Sequence, residues 1–334
     1  MPHSLGKYPF PVVCRQYLEA LRGHRAELTL RQLGRDLNTI WDDVRTLREG
    51  GQLSTVNPYK LTVGDVAALV GYWRTRPRRG IGQHGGTLDT TSQKHLWAAL
   101  RGLLLFVGNA ARAQLKHQMP WVEIPQTRDK PIQVLSLEEL ARLTIAAEGI
   151  TGWRGAVARF LVPFCSGTGL RPKEVRLEDF QCVHADEGFL LVCRPKGEGR
   201  YASAHTQQAP VSEDAAQACR DFVPERDDFL RGVTHPALIP YRHEDGRLDY
   251  WPEACLRKLK ADLEKASGVK FKIRTFRATM GQMALDNGAA IQDVSRALRH
   301  SSTAITEKYY ARVRPKIAIE HVRQALSKPR IRAT

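Results

Sequence analysis

The chain has 334 residues, 42% of them hydrophobic and 26% charged, with 51 Lys+Arg against 35 Asp+Glu for a formal net charge of +16. That length points to two domains with buried cores, and the composition excludes a collagen, a coiled-coil rod and a wholly disordered chain. A pI near 9.8 favours a polyanionic partner, and nucleic acid is the commonest one.

In chain order, the first 125 residues read as helices. One fits residues 13–21. A second is opened by a capping box of Thr29 with Gln32 and carried by Leu30, Leu33, Leu37, Trp41 and Val44 at helical spacing until Gly50-Gly51. A third fits residues 63–73, opened by Thr62 with Asp65, and a fourth fits residues 92–107. The basic stretch Arg74-Thr75-Arg76-Pro77-Arg78-Arg79 reads as an exposed phosphate contact. Just after it, Gly80-Ile81-Gly82-Gln83-His84-Gly85 matches a dinucleotide fingerprint, but the preceding Arg-Pro-Arg-Arg cannot be a buried strand, so the segment reads as a flexible loop.

The polar, Pro-containing segment 122–134 reads as a linker between a helical domain at 1–121 and a second domain at 135–334. The second domain opens with a Ser136–Glu139 capping box and a Leu135–Leu140 hydrophobic staple. Helical signals follow to about Gly169. Residues 188–193 and 201–211 flank a Pro-Lys-Gly-Glu-Gly turn and predict a hairpin, after which the pattern returns to helices. Cys14, Cys165, Cys182, Cys193, Cys219 and Cys255 form no C-x-x-C pair; they argue against a zinc ribbon or disulfide scaffold and read as buried apolar filler. No apolar run reaches the ~20 residues that span a bilayer. The start, MPHSLGKYPFPVV, lacks a signal peptide's apolar stretch. A cytoplasmic, nucleoid-associated protein with no membrane contact is therefore expected.

Four separated segments could carry chemistry: Arg171 with Glu174 after Thr168-Gly169-Leu170; Lys196 in the hairpin turn; Arg274-Thr275-Phe276-Arg277; and Arg299-His300-Ser301-Ser302 followed by Tyr309-Tyr310. Each alone has a bland reading, such as a surface arginine, a solvated turn lysine or a histidine on a helix C-terminus. Together they fit one reaction. Two arginines grip a phosphodiester's non-bridging oxygens through bidentate forks. A tyrosine hydroxyl attacks phosphorus, and a lysine or histidine moves the proton. With phosphate charge held by arginines, no metal ion and no other cofactor is required, and the sequence lacks the acidic cluster typical of metal-dependent nucleases.

In this order the segments resemble the tyrosine recombinase (phage integrase) family, of the Xer-like or mobile-element type, across both domains. The resemblance implies a mainly α protein: an N-terminal four-helix core-binding (SAM-like) domain, then an α+β catalytic domain with a small antiparallel sheet. It implies site-specific cleavage and rejoining of double-stranded DNA through a 3′-phosphotyrosyl intermediate. Arg171 and Arg277 would be the phosphate clamps, Lys196 the general acid, His300 a contact to the scissile phosphate and Tyr309 the nucleophile. Tyr310 competes for that last role, but the nine-residue spacing from His300 favours Tyr309. Three departures stand out: Arg274 replaces a histidine three positions before the second arginine, Ala278 replaces the histidine after it, and Arg299 replaces the glycine before His300. Arg274 can hold a phosphate oxygen but cannot act as a base.

The resemblance also implies a homotetramer on two DNA sites, a monomer or weak oligomer when free, and an accessory protein that sets direction. A C-terminal helix carrying Ile319, Val322 and Leu326 would dock on a neighbouring subunit. The alternatives are a silent sequence-specific DNA-binding regulator and type IB topoisomerase-like relaxation. For RNA binding, no RNP-type aromatic box or KH loop is present.

Overall fold

The computed structural model describes residues 9–77, 86–126, 132–195, 207–310, 319 and 322–323, with backbone alone at 308–310. The chain divides into two compact units, Met1–Lys130 and Pro131–Thr334. No described helix is long and apolar enough to cross a membrane.

The first unit contains α1 (Pro9–Ala20), α2 (Glu27–Glu49), α3 (Val63–Thr75), α4 (Thr90–Phe106) and α5 (Ala111–Gln118). Its core joins Leu37, Ile40 and Val44 of α2 with Val66, Leu69 and Trp73 of α3, Leu100 and Leu103 of α4, and Leu115 of α5. Fully burying each such side chain contributes about 1.5–3 kcal/mol. The sequence suggests four helices; α5 is the addition. It is started by Asn109, whose Oδ1 accepts from the Ala111 N–H at 2.8 Å while its Nδ2 donates to the Pro58 and Leu61 carbonyls.

Two helix starts also move. α2 begins at Glu27 rather than Thr29, because Gln32 donates to Asp36 one turn on at 2.9 Å and is not free to close a capping box. α4 is capped by Asp89, whose Oδ1 accepts from the Thr91 and Ser92 N–H groups, both at 3.0 Å. The Thr62–Asp65 capping box forms as the sequence indicates.

The basic stretch after Trp73 needs a correction. The Arg76 side chain is buried with its Nε 3.1 Å from the Asp43 carboxylate, and the Trp73 indole donates to the same carboxylate at 3.0 Å. Arg74 pairs with Glu123 at 2.9 Å. Arg76 is therefore a core ion pair and presents nothing to a phosphate. Arg78, Arg79 and the glycine-rich segment 80–85 lie outside the described residues.

In the second unit, α6 (Leu137–Glu148) starts on the Ser136–Glu139 capping box, with Leu135 buried in the core and Leu140 partly buried against it. α7 (Gly152–Thr168) is the central helix and packs against α6, α9 (Glu213–Leu230) and α11 (Ile273–Asp286). A Cβ added at Gly167 would lie 2.7 Å from Ala215 Cβ, so this glycine lets α7 and α9 close. α8 (Pro172–Arg176) is a single turn, α10 (Glu253–Ser267), α12 (Ile291–Ala297) and α13 (Thr303–Tyr310) follow, and residues 319 and 322–323 are helical as well.

The small sheet is antiparallel in the order β1 (Val183–His184), β2 (Phe189–Val192), β3 (Gln207–Pro210), with Leu190 opposite Ala209. The hairpin from the sequence is β2–β3. Its turn, with Lys196, lies outside the described residues, as does 201–206. Two features depart from expectation. β4 (Pro240–Arg242) and β5 (Leu248–Tyr250) pair around an Asp245-Gly246 turn in which Gly246 adopts φ +84°, where helices were expected. Strands of three residues are too short for a period-2 pattern to register. Cys182 and Cys193 are joined in a disulfide, against the reading of all six cysteines as filler, because antiparallel pairing of β1 with β2 draws their two ends together. Cys14, Cys165 and Cys219 are buried and Cys255 is partly buried.

Candidate active site

The site is assembled at helix ends. α7 terminates at Thr168, whose hydroxyl donates back to the Phe164 carbonyl at 2.7 Å, and Gly169 turns the chain at φ +63°. A left-handed cap of this kind favours glycine. Two residues on, Arg171 caps α8. Its N–H donates to Glu174 Oε2 at 2.9 Å and its Nη1 to Oε1 at 2.6 Å. Pro172 occupies the first helical position, where its missing N–H costs nothing.

Arg277 projects from α11 into the same region and is buried. Its Nη1 donates to the Gly169 carbonyl at 2.8 Å, and its Nη2 donates to the Leu298 carbonyl. These carbonyls end α7 and α12, where the helix dipoles favour a cation. One guanidinium thus ties together the two segments that carry Arg171 and His300.

α12 ends in a Schellman motif. The Arg299 N–H donates to Arg296 O at 2.8 Å, and the His300 N–H donates to Ser295 O at 3.0 Å. The left-handed position of that motif, normally glycine, is Arg299 at φ +53°. Its side chain turns inward, and Nη2 meets Glu174 Oε2 at 2.7 Å with both side chains almost fully buried. The Arg299 carbonyl also accepts from Arg171 Nη2 at 3.3 Å. Burial alone raises the Glu174 pKa. The Arg299 charge and the Arg171 N–H and guanidinium outweigh it and hold the carboxyl below its ordinary value.

His300 is partly buried, with Nδ1 2.8 Å from the Thr306 hydroxyl. Desolvation first, then the charges of Arg277, Arg171 and Arg299, push its pKa down to about 4. The imidazole is therefore neutral at neutral pH, able to accept a proton once a negative charge enters the site.

Of the residues singled out by sequence, the structure brings together Arg171, Arg277 and His300. Arg274 is exposed one turn before Arg277 on α11, with no hydrogen bond or ion pair to the others among the described residues. The backbones of Tyr309 and Tyr310 end α13, which packs against α11 and α12, but their side chains lie outside the described residues. Lys196 does too. Sequence reasoning missed Thr306 as the partner of His300 and the inward role of Arg299. The signal for Arg299 was its place at a position where a positive φ calls for glycine.

The sequence model of the phage integrase family matches residues 133–316. Among curated proteins, none matches the chain in sequence. Among solved structures, the Tn1549 transposon integrase in complex with transposon right end DNA resembles it with a TM-score of 0.63 at 15% identity, covering 94% of this chain and 99% of that one. The XerH site-specific recombinase bound to difH substrate, in a pre-cleavage complex, gives 0.62 at 16% identity over 94% of this chain and 83% of that one. A lambda integrase dimer bound to a COC′ core site gives 0.55 at 15% identity over 91% and 96%. Likeness at these identities shows a common fold.

Proposed function

The chain belongs to the phage integrase family, the tyrosine-type site-specific DNA recombinases, and on that premise we propose that Arg171, Arg277, His300, Lys196 and Tyr309 carry its strand transfer on double-stranded DNA. The observation that carries this reading is the joining of Arg171, Arg277 and His300 through the Gly169, Leu298 and Arg299 carbonyls. Two guanidiniums held beside a neutral imidazole suit a phosphodiester, whose charge is spread over two non-bridging oxygens.

In this mechanism the Tyr309 oxygen forms a bond to phosphorus as the bond from phosphorus to the 5′-oxygen breaks. Lys196 gives its proton to that departing oxygen. The tyrosine proton passes to His300, to water or to the phosphate; Arg274 can hold an oxygen but cannot take the proton. The 5′-hydroxyl released on a partner strand then attacks the phosphotyrosine, which restores Tyr309 and conserves the bond energy. Four protomers on two DNA sites, with an accessory protein setting direction, would complete the exchange in the cytoplasm at the nucleoid. The C-terminal segment with Ile319 and Val322, both exposed, would join neighbouring protomers. Deleting residues 316–334 should then abolish synapsis and leave a monomer that binds DNA; unchanged assembly removes this part of the reading.

The test is a nicked suicide substrate built from sites flanking the gene, followed by denaturing electrophoresis. A covalent protein–DNA adduct lost in Tyr309→Phe and kept in Tyr310→Phe is the expected result. Loss only in Tyr310→Phe moves the nucleophile by one residue. Binding without an adduct at any site points to a silent regulator, and relaxation of supercoils without a second site points to topoisomerase-like chemistry.

A further inference from the structure

Away from the phosphate site, Glu178 presents a problem that its surroundings leave open. The residue is 1% exposed. Its Oε1 accepts from the Cys193 N–H at 3.1 Å and from the Asp179 N–H at 3.3 Å. Its Oε2 is buried and has no hydrogen-bond partner among the described residues. A buried carboxylate oxygen without a donor or a cation is costly, and each such atom calls for an explanation.

The neighbours supply one. A carboxylate oxygen of Glu178 and the sulfurs of Cys182 and Cys193 all lie within 4.8 Å of one another. The Cα atoms of Cys182 and Cys193 are 6.9 Å apart, just beyond what a disulfide usually spans, about 4.4–6.8 Å. A disulfide does nothing for the orphaned oxygen, since neither sulfur then offers a donor or a charge. A dication between two thiolates and the carboxylate would satisfy all three groups together.

We propose that Glu178, Cys182 and Cys193 form a binding site for a thiophilic divalent cation of the zinc type, filled when the two sulfurs are thiolates and closed when they are joined. Two thiolates and one carboxylate are a donor set that zinc accepts, with a water completing four-coordination. The Oε1 hydrogen bonds fix the carboxylate in orientation, as outer partners do for metal ligands elsewhere. Reduction by a dithiol adds two electrons and two protons to the sulfur–sulfur bond and leaves the reductant as its own disulfide. Zn²⁺ then displaces both thiol protons to solvent. The site fastens the turn at Phe180–Cys182 to Cys193, just past the end of β2 and three residues before Lys196, and so sets the root of the β2–β3 hairpin.

The full-length chain is reduced with a dithiol, freed of it by anaerobic gel filtration and offered Zn²⁺ or Co²⁺ alone. The reduced chain should retain one zinc ion per molecule and show a thiolate-to-cobalt charge-transfer band, while the oxidised chain should do neither. Cys182→Ser and Glu178→Gln should each weaken zinc binding by about tenfold or more, and Cys255→Ser should leave it unchanged. Zinc binding that is equal in reduced and oxidised protein, or absent from both, overturns the proposal, and that comparison needs no variant to fold. Binding that survives Cys182→Ser but not Cys255→Ser overturns it as well. None of these readouts depends on DNA cleavage, so failure here leaves the recombinase reading intact.

Discussion

Arg299 and Glu174 stand 125 residues apart in sequence and meet at 2.7 Å, with side chains 5% and 2% exposed. The arginine reaches the carboxylate from a backbone that has turned left-handed at the end of α12. A conformation that disfavours any residue with a Cβ is thus the one that aims the guanidinium inward.

Replacing Arg299 separates these two effects. Arg299→Ala removes the ion pair and keeps the left-handed backbone, and breaking a buried pair costs about 3–5 kcal/mol. Because Arg171 still contacts Glu174, the lower end of that range is expected. Arg299→Gly loses the same pair but recovers the backbone penalty, about 1–2 kcal/mol for an L-residue in this region. Urea unfolding should therefore rank wild type above the glycine variant and the glycine variant above alanine. An alanine variant as stable as glycine would refute the backbone half of the argument.

Acid should act through Glu174. Its folded pKa lies below the ordinary 4.5, so its contribution to stability is complete above that value and is lost as pH falls through the depressed folded value. Glu174→Gln should be less stable than wild type at pH 7 and should show a shallower decline on acidification below about 4.5. Parallel acid profiles for the two proteins would show that the carboxylate carries no such linkage.

His300 is shifted in the same direction, towards its neutral form. Its pKa falls from 6.5 to about 4 in the fold. The stability it contributes is therefore complete above 6.5 and is lost as pH falls from there towards 4. In an NMR titration its imidazole should stay neutral through pH 5.5, and Arg299→Gly, which removes a neighbouring charge, should raise the midpoint. A midpoint near 6.5 in the wild type would contradict the desolvated, arginine-lined environment.

In the first unit the buried Asp43 carboxylate holds both Trp73 and Arg76. Asp43→Ala strands a buried guanidinium and an indole N–H and should cost about 3–5 kcal/mol. The earliest urea transition should move to lower denaturant, while Arg74→Ala, which loosens an exposed pair, should shift it by less than about 1 kcal/mol. Equal shifts for the two variants would deny the core ion pair its role.

Much of this architecture was legible in the chain because the signals were local. The boxes at Thr62–Asp65 and Ser136–Glu139, the stop at Gly50-Gly51 and the β2–β3 hairpin each rest on residues a few positions apart. What escaped depended on distant partners. Arg76 looked like part of a basic surface until Asp43, 33 residues earlier, was folded against it. Cys182 and Cys193 looked like filler until strand pairing aligned them. Arg171, Arg277 and His300 were picked out by type and order, whereas the carbonyls of Gly169 and Leu298 that bind Arg277 carry no side-chain signature at all.

That last bond has a mechanical consequence. Gly169 ends α7, lends its carbonyl to Arg277 and stands two residues before Arg171. A side chain at Gly169 would crowd Met280 at 3.1 Å and Leu298 at 3.2 Å, so this glycine sits in a tight socket. Arg277 is rooted in α11 and also holds the Leu298 carbonyl at the end of α12, so a slide of α7 along α11 would pull on the Gly169 bond and shift Arg171 against Arg277. The gap between the two guanidiniums is thus gauged by how α7 seats on α11, with the Gly169 carbonyl as its latch.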